Sequence, residues 1–152
     1  PGLPVPTEHE AIVNIHYRTD YTPSGPIAEA GFVGVVEGTA EWVFAKHDHV
    51  SVTISAARRL GDIAAEEIAS RVWPEVRTAL GIPTAPLPPY RVVREKRATF
   101  EATAEQEALR PRTRSPLGNL ALAGDWTSTG LPASIEGAIR SGRRAAAMLL
   151  RS

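Results

Sequence analysis

Residues 119–146 read Asn-Leu-Ala-Leu-Ala-Gly-Asp-Trp-Thr-Ser-Thr-Gly-Leu-Pro-Ala-Ser-Ile-Glu-Gly-Ala-Ile-Arg-Ser-Gly-Arg-Arg-Ala-Ala. The apolar run at 117–123 predicts a short strand leading into Gly124-Asp125. A loop follows, and a helix is expected from Ser134 to Leu150. Ser134 is of the type that caps a helix start. A helix N-terminus presents unpaired N–H groups and the positive end of a dipole, which suits an anion or a polarised carbonyl. Gly137 and Gly142 have no side chain, so another group can approach the helix closely there.

Upstream, Tyr90–Phe100 is expected to be a strand with charge on both faces, so periodicity alone does not orient it. Residues 101–116 read as a polar loop with room for one helical turn. A helix is predicted over 62–80, where Ile68, Val72, Val76 and Leu80 recur at four-residue steps. Asp62 is its candidate cap, Gly81 lies just past its end, and Pro74 should kink it or split it after Val72. Residues 82–89 hold four prolines and form a connector.

The first half is strand-like. In residues 12–17, Ile12, Asn14 and His16 alternate with Val13, Ile15 and Tyr17, the pattern of a half-buried strand. Two further strands are expected at 32–37 and 39–46 around Gly38. Residues 46–49 read as a polar turn, and 50–55 place Val50, Val52 and Ile54 on one face. Strands joined by short turns suggest an antiparallel meander. The fold class expected is α+β.

Composition narrows the function classes. The chain has 152 residues, 43% hydrophobic and 6% aromatic, with formal net charge zero; its mean hydropathy of −0.14 is that of a globular domain. With no cysteine, disulfides and thiolate metal sites are excluded. Residues 1–90 hold 6 Lys/Arg against 11 Asp/Glu, and residues 91–152 hold 11 against 6, so the halves balance at −5 and +5. The basic half can face phosphates, an anionic surface or the acidic half of its own chain. No nucleic-acid motif is present, and no nucleic-acid partner is expected.

The quoted stretch closely resembles the C-terminal flavin-binding segment of the amine oxidase and phytoene desaturase superfamily of FAD enzymes. From Ala123 to Gly142 it is most similar to the squalene-associated desaturases, the hydroxysqualene dehydroxylases of hopanoid synthesis. Residues 94–100 share that likeness. The resemblance implies FAD as cofactor and a long isoprenoid as substrate. It also implies an antiparallel substrate-domain sheet joined to the last strand and helix of an FAD-binding α/β domain. The expected divisions are 1–90 for the substrate-domain part, 91–114 for a bridging strand and loop, and 115–152 for the FAD-domain part. The family's Gly-x-Gly-x-x-Gly fingerprint is absent, and Gly31, Gly34 and Gly38 do not have its spacing. Together with the missing initial Met, this suggests a C-terminal fragment of a longer polypeptide, inactive alone.

Residue by residue, the resemblance sets Gly124, Asp125 and Trp126 beside the FAD pyrophosphate and ribityl chain. It sets Ser134, Ile135, Glu136, Gly137 and Ala138 under the flavin pyrimidine ring. The plain readings are a strand-to-loop turn for Gly124-Asp125 and a capped core helix for the rest. Ile139, Ala146 and Leu150 read as packing residues, and Trp42 and Trp73 as core. Amine oxidases place an aromatic at the position of Ser134, so Ser134 favours an isoprenoid over an amine. No catalytic acid or base is identifiable, and Arg110, Arg112 and Arg114 receive no role. His47-Asp48-His49 offers too few ligands for a metal.

Three readings remain open. The first is dehydroxylation of hydroxysqualene to squalene. The second is desaturation of a phytoene-type carotenoid. The third is a non-catalytic module binding a lipid, a membrane surface or another chain. A cytoplasmic location is expected, with peripheral membrane contact and a homo-oligomer as open options.

Overall fold

Alternation in the first strand-like segment resolves into β1 (His9–Arg18), with Val13, Ile15 and Tyr17 buried. It is followed by α1 (Pro26–Ala30), β2 (Phe32–Gly34), β3 (Trp42–Ala45) and β4 (His49–Ile54). A 3-10 turn at Ala57–Leu60 leads to α2 (Ala65–Leu80), β5 (Tyr90–Phe100), α3 (Ala104–Ala108) and α4 (Ile135–Leu149). The computed structural model describes residues 2–82 and 84–150. Pro1 of the proline-rich start, Pro83 of the connector and residues 151–152 of the FAD-domain part lie outside them. The chain forms two compact units, one of Ala11–Lys96 and one of the residues up to Glu10 with those from Arg97 onward.

In the first unit the five strands run in the order β2-β3-β4-β1-β5. β2, β3 and β4 form the expected antiparallel meander, and β1 pairs antiparallel with β4. β5 closes the edge against β1, with Arg18 N–H donating to Pro89 O at 2.9 Å. An edge strand bearing Arg91, Arg94, Glu95 and Lys96 is blunted against stray pairing. The register sets Val13 opposite Ile54, Ile15 opposite Val52, Tyr17 opposite Val50 and Val43 opposite Val52. All of these are buried and face α2, whose stripe Ile68, Val72, Val76 and Leu80 is fully buried as expected. Each such side chain contributes roughly 1.5–3 kcal/mol by leaving water. Tyr17 O–H donates to Ala69 O at 2.8 Å, and its ring lies 5.1 Å from the buried Trp73.

Several expectations are corrected here. Of the two outcomes expected at Pro74, the split does not occur, because the buried stripe on either side holds both halves to one sheet face. Its N-cap position is Ala64 with no side-chain cap, and Asp62 instead lies exposed, 4.0 Å from Lys96 Nζ. The strands expected at 32–37 and 39–46 shorten to Phe32–Gly34 and Trp42–Ala45. Glu37 takes a positive φ of 60°, and the Glu75 carboxylate accepts from Thr39 and Ala40 N–H, which bends the connector out of the ladder. Trp42 is 44% exposed rather than core, and packs at 5.9 Å on the exposed Phe32.

In the second unit, the polar loop contains α3, capped by Thr103, whose hydroxyl accepts from Gln106 N–H. Gln106 Oε1 in turn accepts from Thr7 and Glu8 N–H, tying the N-terminal segment down. The strand expected at 117–123 is not formed. A single bridge, Arg114 to Ala121, is all the pairing that this segment has among the described residues. Leu117 and Leu120 are exposed, since a strand needs a ladder of neighbours to satisfy its backbone. The last helix begins where expected, with Ser134 as N-cap. Among the described residues no helix is long and apolar enough to cross a membrane.

Candidate functional site

Between the isolated bridge and α4 the chain makes one tightly held loop. Gly124 has φ +140°, and a Cβ there would run into the Trp126 indole. Gly124 N–H donates to Ser141 Oγ at 3.0 Å, and Thr127 O–H donates to Gly124 O at 2.8 Å. Ser141 Oγ lies 2.7 Å from Thr127 Oγ1, so the three groups close a ring of hydrogen bonds with Ser141 as donor to Thr127. Further along, Thr129 Oγ1 accepts from Leu131 N–H, and Ser134 O–H donates to Pro132 O. Gly137 is buried because its absent Cβ leaves room for Pro132 O, which such an atom would approach to 3.0 Å.

At the start of α4 the Ser134 cap expected from the sequence is formed. Ser134 Oγ accepts from Gly137 N–H at 3.2 Å. The N–H groups of Ile135 and Glu136 precede the first intrahelical bond and face outward from the helix end. Ile135 is 82% exposed. The Glu136 carboxylate is engaged by Arg140 Nε at 2.7 Å. The Asp125 carboxylate is half-buried and accepts no hydrogen bond among the described residues. With Trp126, Phe100, Arg97, His9 and Pro6 it lines a cavity of about 340 Å3.

Of the expected site residues, Gly124, Asp125 and Trp126 stand at the head of the loop and Ser134 to Ala138 at its foot. Ser141 ties the head to α4. Gly137 makes room for the chain's own loop, and Gly142 faces open space. Ile139, Ala146 and Leu150, expected to pack, are not covered within the described residues. All three are exposed, and the helix buries Gly137, Ser141 and Ala145 instead. Small residues at four-residue steps let α4 lie close under the loop.

Sequence reading missed Arg110. Its side chain is 1% exposed. It donates to the Glu107 carboxylate, to Leu131 O at 2.8 Å, to Asp125 O at 2.9 Å and to Thr129 Oγ1 at 3.2 Å. The guanidinium also lies 4.9 Å from the Phe100 ring centroid. One legible signal was Glu107 three residues earlier, a spacing that faces an acid to a base across a helical turn. In the first unit, His49 Nδ1 is 2.7 Å from Asp48 Oδ1, and His16 Nδ1 is 2.8 Å from Ser51 Oγ. No group of three or more His, Asp or Glu gathers as a metal site among the described residues.

Residues 40–150 match the family described as flavin containing amine oxidoreductase. The chain belongs to this family. It is 51% identical over 150 residues to a hydroxysqualene dehydroxylase of Sinorhizobium fredii and 50% identical to one of Rhodopseudomonas palustris, each match covering 99% of the chain and 35% of the relative. A shorter stretch of 54 residues, 36% of the chain and 10% of the relative, is 41% identical to a 15-cis-phytoene desaturase of Narcissus pseudonarcissus. The chain thus spans about a third of the length of the dehydroxylases it matches.

The donor set of this flavin-family chain fits a flavin cofactor. The outward N–H groups of α4 suit a polarised carbonyl edge, and the uncommitted Asp125 carboxylate suits a sugar-like hydroxyl.

Proposed function

We propose that the protein carrying this chain is an FAD-dependent oxidoreductase that converts hydroxysqualene to squalene. The observation that carries this reading is the identity of about half of all positions to hydroxysqualene dehydroxylases along 99% of the chain. Bound FAD, when reduced, supplies hydride for replacing the hydroxyl at an allylic carbon. The chain's own part is to hold and polarise. Asp125 would accept from a hydroxyl of the cofactor's ribityl chain, with Gly124 and Trp126 alongside the pyrophosphate. Ser134 fixes the helix start, so that Ile135 and Glu136 N–H and the helix dipole favour negative charge at the pyrimidine edge. Gly137 and Ala138 keep that first turn slim.

In the same reading, residues 1–90 contribute to the substrate domain, 91–114 bridge, and 115–152 complete the FAD domain. The enzyme works in the cytoplasm and draws its lipid from a membrane surface. The test is to supply the whole protein with hydroxysqualene and reduced flavin. Squalene is the expected product. Tight FAD binding without squalene overturns the reading. The short match to a phytoene desaturase is the weaker support for the second reading, and desaturation of phytoene by the oxidised enzyme would establish it instead.

A further inference from the structure

We propose that Arg110 is a positioning residue that sets the cofactor loop, residues 124–134, for FAD; this rests on the flavin reading above. A single buried guanidinium spans the loop. One nitrogen donates to Asp125 O and Thr129 Oγ1, and the other to Leu131 O. Those acceptors sit near the head, in the middle and near the foot of the loop. The planar fork fixes their mutual spacing in a way that a flexible ammonium does not. Glu107, which is half exposed, neutralises the charge from the solvent side at 2.8 Å, and Phe100 covers one face of the fork.

Both ends of the proposed cofactor site depend on these bonds. At the head, the carbonyl held by Arg110 belongs to Asp125, the residue whose carboxylate is uncommitted. At the foot, Thr129 Oγ1 would sit 3.5 Å from a Cβ on Gly137, so the pinned hydroxyl packs on the first turn of α4. Pro132, next to the pinned Leu131, accepts from Ser134, the cap of that turn. Moving Arg110 therefore moves Asp125 and the α4 start relative to each other.

The experiment uses the whole protein and the variants Arg110→Lys, Arg110→Ala and Thr129→Val. FAD affinity, the flavin midpoint potential and thermal midpoint are measured for each. Arg110→Lys is expected to weaken FAD binding about tenfold or more, as lost charge-assisted bonds imply. Arg110→Ala is expected to weaken it further, with millimolar guanidinium restoring binding and methylammonium failing to do so. Thr129→Val, which keeps the charge, should shift the midpoint potential and weaken binding several-fold. FAD affinity and potential within twofold of the parent in folded Arg110→Lys and Thr129→Val overturn the proposal while leaving the flavin reading intact. A loss of affinity that only tracks the unfolded fraction, with no guanidinium rescue, overturns it as well. Failure of the unsubstituted protein to bind FAD removes the flavin reading, and this proposal with it.

Discussion

Ser141 Oγ and Thr127 Oγ1 lie 2.7 Å apart, both buried, and between them they bind the N–H and the C=O of Gly124. A helix side chain and a loop side chain thus close a ring that fixes where the loop leaves Gly124. Ser141→Ala removes one acceptor and one donor, leaving buried polar groups unmatched. The expected cost is about 1–3 kcal/mol. Urea denaturation of this chain measures it, and a change under about 0.5 kcal/mol would show that the ring does not hold the loop.

Two glycines should respond with opposite signs. Gly124→Ala forces a Cβ toward the Trp126 indole at φ +140°, and is expected to destabilise by about 1–3 kcal/mol and change Trp fluorescence. Gly142 lies within α4 with open space around it, so Gly142→Ala is expected to stabilise by about 0.5–1 kcal/mol. Thermal melts of the two variants decide the matter, and a shared sign would contradict the local geometry.

Burial, the neighbouring His49 and Arg91 all hold the His16 imidazole below its usual pKa. The unfolded chain then takes up a proton that the folded chain refuses. Stability should rise with pH up to the unfolded value of about 6.5 and be lost as pH falls below it. His16→Asn is expected to flatten that acid branch. An NMR titration of His16 that gave a value above 6.5 would refute the assignment.

Tyr17 gives the alkaline counterpart. Burial first, then the charges of Glu75 and Tyr90, push its phenol well above the usual tyrosine range. Above the unfolded value of about 10, the unfolded chain loses a proton that the folded chain keeps, so stability falls as pH climbs. Tyr17→Phe should remove this slope and cost about 0.5–1.5 kcal/mol near neutrality through the lost bond to Ala69 O. Urea midpoints of both proteins between pH 7 and 11 test the pair of effects.

What the sequence disclosed follows from which forces are local. β1, β4 and α2 were legible because Val13, Ile15, Tyr17 and the Ile68-to-Leu80 stripe repeat with the period of their elements. The bounds of β5 matched even though its faces could not be assigned, because its pairing partner is distant in sequence. The α4 start was legible through Ser134, a local cap. The segment at 117–123 misled because apolarity signals a strand only where neighbours supply the ladder. For Arg110 only the pairing with Glu107 was legible, because its loop acceptors lie 15 to 21 residues away in a stretch without periodicity. The head and foot of the loop carry motif likeness, whereas the ring through Ser141 joins residues 14 to 17 positions apart with no periodic signal.

The inverted burial of α4, small residues inward and Ile135, Ile139, Leu149 and Leu150 outward, governs how this chain would behave on the bench. A helix so dressed is a surfactant in miniature. The isolated chain should be retained on a phenyl column, brighten a hydrophobic dye while still folded, and lose both habits when Ile135 and Leu150 are exchanged for glutamine.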